Sequence, residues 1–281
     1  MKILMIGATG QFAGLVLPHL KKLNMIVRAV VQSENKGIDA VKNGADEYVI
    51  ASLYNKDSLV AAAQGVQSVF HINPAFQREI EAGLNMVNAA REAGVNKFVF
   101  SSVYHPSLSL VNHADKRPVE EALYLSKMDY TILQPAMYMQ MLRQTWASAL
   151  KTGEITGPYS KYSKMSYVDY NEVAECAALA FVDDRLSFGT FELSSDGMYS
   201  RMDLASLIGK TLDKPIVAHD INTDYWAKVN KIPDDELRNG LIAMNKEYDD
   251  FGFSGGNSLI LDTILGRKAK TVPEFIQELN F

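Results

Sequence analysis

The sequence predicts an α/β fold, in which a doubly wound parallel sheet is followed by a smaller, discontinuous C-terminal lobe. Two observations support this prediction. Short apolar segments alternate with helical patterns through residues 1–150, and each helical segment is long enough to cross over between parallel strands. The first strand is followed at once by a glycine turn, Gly7-Ala-Thr-Gly10, and then by a helical pattern. This order is typical of nucleotide-binding sheets.

The elements of this first part follow from local patterns. Apolar and β-branched runs predict six strands: Lys2–Ile6, Ile26–Val31, Tyr48–Ala51, Ser68–Ile72, Lys97–Ser102 and Tyr130–Leu133. Apolar residues at helical spacing predict the helices between them: Phe12–Leu23, Asn35–Asn43, Lys56–Ala63, Gln77–Ala93 and Ala114–Ser126. Glycines close three of these helices, as is common at helix ends.

The regular alternation loosens after Leu150. The stretch Gly153–Ser163, rich in Gly, Ser and Tyr, predicts a surface loop or a hairpin. Three later segments are expected to return to the main sheet: a strand at Met165–Val168, a helix at Asn171–Phe181 and a strand at Thr190–Ser194. From Arg201 onward the pattern is mostly helical, with one further strand at Ile216–Asp220.

A division into two parts follows from these patterns. We expect residues 1–150 to form a nucleotide-binding domain, with 165–195 returning to its sheet. Residues 151–164 and 196–281 are expected to form a smaller substrate or partner lobe. Cofactor and substrate would meet in the cleft between the parts, outside the carboxyl ends of the strands.

Composition narrows the function classes. A net charge of −5 over 281 residues argues against general nucleic-acid binding. No apolar run reaches the ~18 residues that a membrane span needs. The single cysteine, Cys176, excludes an internal disulfide and fits a reducing cytoplasm, which is the predicted location. Because Cys176 lies in a helical pattern, we expect a small core residue and not a nucleophile.

The glycine turn is predicted to hold a pyrophosphate. Glycine lets the backbone approach the phosphates, and the first N–H groups of the next helix point at the anion. Ala13 supplies the small residue that lets helix and strand pack. The residues predicted to line the cofactor here are Gly7, Thr9, Gly10, Gln11 and Phe12. The alternative is a glycine turn in an α/β protein that binds no ligand.

The end of the second strand bears on the choice of coenzyme. An acidic residue there would take the ribose hydroxyls of NAD, whereas a basic neighbour accommodates the 2′-phosphate of NADP. The strand ends at the neutral Gln32, and both Ser33 and Lys36 can donate to a phosphate. NADP(H) is therefore predicted over NAD(H). Two alternatives remain: Glu34 could bind a ribose, and Lys36 could be a solvated helix residue.

Several motifs, taken in order, resemble one known family. They are Gly7-Ala-Thr-Gly10, Val99-Phe-Ser-Ser102, His113-Ala-Asp-Lys116-Arg-Pro-Val-Glu120, Tyr130-Thr-Ile-Leu-Gln-Pro135-Ala-Met-Tyr138, Tyr248–Gly256 and Leu265–Phe275. Together they resemble the NmrA-like group of atypical short-chain dehydrogenases over nearly the whole chain. The resemblance implies an NAD(P)-binding Rossmann fold. It also leaves two functions open. The family includes NADPH-dependent quinone and isoflavonoid-type reductases, and it also includes nucleotide-binding regulators.

The catalytic residues depart from the usual short-chain dehydrogenase pattern. No lysine stands four positions after Tyr104 or Tyr124, so the usual Tyr-x-x-x-Lys proton donor is missing. The resemblance implies that Lys116 contacts the nicotinamide ribose or acts as general acid or base, a role open to a desolvated lysine. The alternative is a solvated helix residue paired with Glu120.

Two more side chains are predicted to serve catalysis. His113 lies three residues before Lys116 on the same predicted helix face and could relay a proton near neutral pH. Tyr104, at the carboxyl end of the fifth strand, could reach a substrate with its hydroxyl. The alternatives are a histidine at a helix start and an aromatic lid contact.

The remaining predicted cofactor contacts follow later strands. They are Asn73, Pro74, Ser101, Pro135 and Tyr138. With Tyr138, the methionines Met137 and Met141 offer an apolar wall for a flat ring, or else pack as core between the lobes. The histidines show no metal-ligand spacing with carboxylates or the cysteine, so no metal is expected. The Gly-x-Ser-x-Gly elbow of a serine hydrolase does not occur.

Three functional hypotheses follow. The first is a reductase that passes a hydride from NADPH to a flat apolar acceptor such as a quinone or enone, with Lys116 or water supplying the proton. The second is a non-catalytic redox sensor whose dinucleotide changes a partner surface, which the missing Tyr–Lys pair favours. The third, a sugar-nucleotide epimerase, is disfavoured by the same absence. We expect a small-molecule substrate, no nucleic acid and no membrane, and a homodimer would be in keeping with such chains.

Overall fold

The computed structural model describes residues 1–75, 77–233 and 235–280. The chain divides into two compact units: Met1–Pro135 with Val173–Glu192, and Ala136–Glu172 with the residues from Leu193 onward. Residues 136–150, predicted to belong to the first part, fall in the second unit because the strand at Met137–Tyr138 pairs outside the main sheet. The role of the second unit as a substrate or partner lobe stays a prediction.

The strands and helices have the following bounds. The strands are β1 (Lys2–Ile6), β2 (Ile26–Val31), β3 (Glu47–Ile50), β4 (Ser68–Ile72), β5 (Lys97–Ser101), β6 (Asp129–Pro135), β7 (Met137–Tyr138), β8 (Glu154–Gly157), β9 (Met165–Val168), β10 (Gly189–Leu193), β11 (Met198–Tyr199) and β12 (Val217–Asp220). The helices are α1 (Val16–Lys22), α2 (Glu34–Lys42), α3 (Lys56–Ala63), α4 (Glu79–Glu92), α5 (Val111–Ala114), α6 (Arg117–Tyr124), α7 (Leu142–Thr152), α8 (Tyr170–Leu179), α9 (Arg201–Leu212), α10 (Thr223–Val229), α11 (Glu236–Phe251), α12 (Leu259–Leu265) and α13 (Val272–Glu278).

Within the part of the chain that the structure describes, the main sheet has seven strands in the order β10-β6-β5-β4-β1-β2-β3. The neighbouring pairs from β6 to β3 are parallel. The strand order reverses between β1 and β4, which is the arrangement of a doubly wound nucleotide-binding sheet. The predicted fold class is confirmed. The bounds of β1, β2 and β4 are those predicted, because each is a fully local apolar run.

One face of this sheet carries a large apolar core. Helices α3, α4 and α6 contribute fully buried side chains to it, among them Leu59, Met86, Val119 and Leu123. The strands contribute Leu4, Phe98, Phe100 and Ile132. Burying a side chain of this size stabilises a fold by about 1.5–3 kcal/mol. This core therefore holds the carboxyl edge of the sheet and the helices after β4 and β5 in one place.

The helix predicted over Ala114–Ser126 is split in two, which corrects the prediction. The chain forms the short α5, a turn at Asp115 and Lys116, and then α6. Pro118 explains the break, since its ring nitrogen has no N–H and it is accepted only in the first turn of a helix. Lys116 therefore precedes α6 at its N-cap and does not lie inside a longer helix.

The second unit contains two small sheets, and they correct two predictions. Strand β9 pairs with β7 and β11 in a three-stranded sheet and does not return to the main sheet. The segment Gly153–Ser163 begins with β8, which pairs in parallel with β12, so it is not a hairpin. A four-residue apolar strand carries no local signal for its partner, because the partner is set by what lies beside it in the fold.

Candidate functional site

The glycine turn lies at the carboxyl end of β1, next to the point where the strand order reverses. Gly7 has a φ of +82°, and its carbonyl accepts from the N–H of Gly10 at 2.8 Å. A Cβ on Gly7 would lie 2.8 Å from Ala13 Cβ and 3.2 Å from Ile72 Cγ2. Only glycine fits there, and the turn packs directly against the end of β4.

The turn leads into a single 3₁₀ turn, Ala13–Leu15, before α1 begins at Val16. Ala13 is buried against Gly7, while Thr9 and Phe12 are half-buried and Gly10 and Gln11 are exposed. The helix predicted to begin at Phe12 therefore begins at Val16, and a 3₁₀ turn precedes it. The cofactor contacts expected of Gly7, Thr9, Gly10, Gln11 and Phe12 stay predictions.

The end of β2 presents an exposed polar segment. Gln32, Ser33 and Lys36 are all exposed. The Ser33 hydroxyl caps α2 by accepting from the N–H of Lys36 at 3.5 Å. Glu34 is not free in this segment, since the hydroxyl of Tyr48 donates to its carboxylate. Lys36 carries the first positive charge after the end of β2.

The end of β4 holds an oriented amide. Nε2 of the buried His71 donates to Oδ1 of Asn73 at 2.7 Å, because an amide oxygen only accepts. Burial lowers the pKa of His71 to about 4, so the ring is neutral at neutral pH. Asn73 Nδ2 is buried and has no hydrogen-bond partner among the described residues. Pro74 follows it, partly exposed.

Lys116 is buried in an ion pair with Glu79. Its side chain is 8 % exposed and that of Glu79 is 0 % exposed, and Nζ donates to the Glu79 carboxylate. Nζ also donates to the Asn112 carbonyl at 3.3 Å. The alternative of a solvated Lys116 paired with Glu120 is wrong. Glu120 instead accepts from Ser102 Oγ at 2.5 Å and Gln134 Nε2 at 2.9 Å.

A close approach of two helices brings this pair together. Gly83 lies one turn after Glu79 on α4, and Val119 lies one turn after Lys116. A Cβ on Gly83 would stand 2.3 Å from Val119 Cγ2 and 3.0 Å from Asn73 Oδ1. The missing side chain lets α4 and α6 touch, and it places Asn73, Glu79 and Lys116 in one group. We call this group the donor cluster, in which Asn73 and Lys116 supply the donors and the Glu79 carboxylate accepts from Lys116.

The other predicted catalytic side chains both follow β5: Tyr104 lies on the loop after this strand, and His113 lies in α5. Tyr104 is buried, its N–H donates to the Pro135 carbonyl at 3.0 Å, and burial raises its pKa. His113 Nδ1 donates to the His105 carbonyl at 3.1 Å. Burial lowers the pKa of His113 to about 4, so it accepts a proton poorly at neutral pH. The relay expected of His113 stays a prediction, with this pKa against it.

The remaining predicted contacts divide between the two units. Ser101 ends β5 and Pro135 ends β6, and both are buried. Tyr138 belongs to the second unit, where its ring lies 4.5 Å from that of Tyr170. Met141, in the same unit, is 49% exposed. Their contacts with a cofactor or substrate stay predictions.

Sequence reasoning missed His71, Glu79 and Tyr48. Glu79 could have been noticed as an acidic residue at the start of the helix after β4, on the carboxyl edge of the sheet. Its pairing with Lys116 across 37 positions has no local signal. The same holds for Tyr48 and Glu34, which are 14 positions apart.

The structure also bears on two other classes of site, a metal centre and a membrane-spanning helix. Within residues 1–75, 77–233 and 235–280, no group of three or more His, Cys, Asp or Glu side chains is arranged to hold a metal ion. In the same part of the chain, no helix has the length and apolar character to cross a membrane.

Comparisons with known proteins agree with this architecture. The family model described as NmrA-like family matches residues 1–278. Quinone oxidoreductase 2 of Escherichia coli K12 is 25% identical over 284 aligned residues, covering 97% of this chain and 96% of that protein. The NAD(P)H azoreductase of Xenophilus azovorans is 24% identical over 289 aligned residues, with the same coverage. The crystal structure of the Escherichia coli NADPH-dependent quinone oxidoreductase complexed with NADPH superposes with a TM-score of 0.84 at 22% identity, covering 99% of both chains.

Proposed function

The chain belongs to the NmrA-like family, and from this premise we propose that it is an NADPH-dependent reductase of a flat, apolar acceptor such as a quinone. The observation that carries the proposal is the buried donor cluster, whose Asn73 directly follows β4, the strand against whose end the glycine turn packs. Relatives named as a quinone oxidoreductase and an azoreductase support the class of acceptor, since both names denote reduction of flat conjugated molecules.

Two features of the first unit fit a dinucleotide. At Gly7 the positive φ and the missing Cβ allow the tight turn against Ala13 and Ile72 with which a pyrophosphate-binding loop begins. At Asn73 a buried N–H donor has no hydrogen-bond partner within residues 1–75, 77–233 and 235–280, and such a donor is costly unless a ligand or water satisfies it. Residues Gly7, Thr9, Gly10, Gln11 and Phe12 would hold the pyrophosphate.

The adenosine end would lie over β2 and β3. Gln32, Ser33 and Lys36 would hold the 2′-phosphate. A cavity of about 470 Å³ next to Gln32 is large enough for an adenine ring. It is lined by Gln32, Ile50, Ala51, Ser52, Tyr54, Asn55 and Ser58. NADP(H) is the proposed coenzyme, in preference to NAD(H).

The donor cluster would act at the reacting end. Bound NADPH supplies a hydride. Two of the three ammonium donors of Lys116 go to Glu79 and Asn112, which leaves the third for a ligand oxygen. Lys116 thus serves as an oriented, charged donor to a ribose hydroxyl or to the oxygen that gains charge. The accompanying proton comes from Lys116 or water, because Tyr104 and His113 are both poor donors at neutral pH.

The test is a paired titration of the purified protein with NADPH and NADH, followed by addition of a quinone. We expect tighter binding of NADPH and its oxidation when the quinone is added. Lys116→Ala should lower kcat/KM at least tenfold, because it removes a charged donor worth about 1.5–3 kcal/mol. Lys22→Ala, which alters an exposed lysine on α1, is the matched control. If NADPH binds but none of a panel of quinones, enones and azo compounds oxidises it, the proposed reductase activity is refuted.

A redox sensor is the second candidate, and one observation favours it. Of the three side chains predicted for catalysis, Lys116 is held by Glu79, while the pKa shifts of Tyr104 and His113 keep both neutral at neutral pH. A sensor needs tight, selective nucleotide binding but no proton donor. Tight binding of NADPH with no turnover, together with a protease-cleavage pattern that differs between NADP⁺ and NADPH, would favour the sensor over the reductase.

A further inference from the structure

An acidic side chain stands close to the proposed 2′-phosphate site, and a tyrosine from the next strand holds it. Glu34 is the first residue of α2, two positions after Gln32, which directly follows β2. The hydroxyl of Tyr48, on β3, donates to Oε1 of Glu34. This contact raises the pKa of Tyr48, because the neighbouring carboxylate disfavours the phenolate.

The helix has a gap that accommodates this tyrosine. Gly37 lies three residues after Glu34, so the two share a face of α2. A Cβ on Gly37 would fall 2.3 Å from Tyr48 Cδ2 and 2.4 Å from Cε2. A glycine inside a helix is less favourable than alanine. Here the missing side chain leaves room for the ring, whose hydroxyl reaches one turn back toward the start of the helix.

We propose that Tyr48 determines coenzyme choice by holding the Glu34 carboxylate along α2, away from the coenzyme's 2′-position. This inference rests on the proposed binding of NADPH. A free carboxylate at this place would repel a 2′-phosphate and accept the ribose hydroxyls of NADH. With Glu34 held by Tyr48, the exposed Lys36 and Ser33 act on the phosphate without that opposition.

The first test is Tyr48→Phe, with the dissociation constants of NADPH and NADH measured by fluorescence titration. Phenylalanine keeps the ring against Gly37 and removes only the hydroxyl. Two like charges about 6 Å apart in water repel enough to change an affinity by about three- to tenfold. We expect the preference for NADPH over NADH to fall by this factor, mainly through weaker NADPH binding. Tyr124→Phe is the matched control. It also removes the hydroxyl of an exposed tyrosine, one that contacts Thr190 on β10 and not Glu34.

The second test asks whether the effect runs through Glu34. Glu34→Gln should keep or strengthen NADPH binding, and Tyr48→Phe added to Glu34→Gln should then have no further effect. An unchanged preference in Tyr48→Phe, or weaker NADPH binding in Glu34→Gln, would overturn the inference while leaving NADPH binding intact. If the unaltered protein binds neither nucleotide, the proposed function falls and this inference falls with it.

Discussion

Substitution of either residue in the ion pair of Glu79 and Lys116 is expected to destabilise the fold, because both charged groups are buried. Removing one partner of a buried pair leaves an uncompensated charge in a poorly solvated place. By contrast, the surface pair of Lys56 and Glu92 keeps both side chains about half exposed. Surface pairs of this kind contribute about 0–1 kcal/mol. The two pairs therefore allow a matched comparison.

We predict that Glu79→Gln lowers the free energy of unfolding by about 2–4 kcal/mol, because the Lys116 ammonium then lacks a counter-charge. Glu92→Gln should change it by less than about 1 kcal/mol. Urea unfolding of both variants is the measurement. A double variant, Glu79→Leu with Lys116→Met, should recover most of the loss since neither charge remains. Equal effects of Glu79→Gln and Glu92→Gln would contradict a buried pair.

At the scale of elements, the contact between α4 and α6 decides where the donor cluster forms. Gly83 is the position where the two helices touch, and Val119 fills the space that its side chain would occupy. Neither helix predicts this contact from its own apolar pattern, because a glycine has no side chain to mark the position where another helix touches. The contact is a property of the two helices together.

We predict that Gly83→Ala lowers the free energy of unfolding by about 1–3 kcal/mol, although alanine is the better helix former. The added methyl must push Val119 and the helix that carries it away from α4. Val119→Ala in the same chain should restore part of the stability, because it removes the atoms that clash. Thermal unfolding of both variants measures this, and a Gly83→Ala protein more stable than the parent would refute the close approach.

At the scale of the whole molecule, two buried histidines tie the stability of the first unit to pH. The folded pKa values of His71 and His113 are both about 4, against 6.5 for an unperturbed histidine, because burial disfavours the charged ring. Because the pKa is lower in the folded state, each histidine makes its full contribution to stability above pH 6.5, where the ring is neutral in both the folded and the unfolded chain. It is lost as the pH falls toward 4, because the unfolded chain binds protons that the folded chain does not.

We predict that the free energy of unfolding falls between pH 6.5 and 4, by roughly 3 kcal/mol for each histidine. His71→Gln should flatten this dependence and, through its side-chain amide, keep the hydrogen bond to Asn73. His219→Gln, which alters a half-exposed histidine, should not. Urea unfolding at a series of pH values is the measurement, and an identical slope in His71→Gln and the parent would contradict the prediction.

The sequence by itself determined the strands of the main sheet and the glycine turn. Apolar runs such as Lys2–Ile6 and Ser68–Ile72 need no distant partner to be recognised, so their bounds match the structure. Pro118, which splits the predicted helix, was equally local and could have been used. Binding at Gly7, Gln32 and Lys116 was also predicted from the sequence and remains a prediction for the titrations to test.

Only the tertiary structure decided which side chains meet. Lys116 pairs with Glu79, 37 positions away, and not with Glu120, which lies one turn along the chain. Tyr48 reaches Glu34 across a helix glycine, and β9 joins a small sheet in the second unit. Periodicity in a sequence reports which face of an element is apolar. Which partner that face meets depends on the packing of the whole chain, because the apolar contact is not directional.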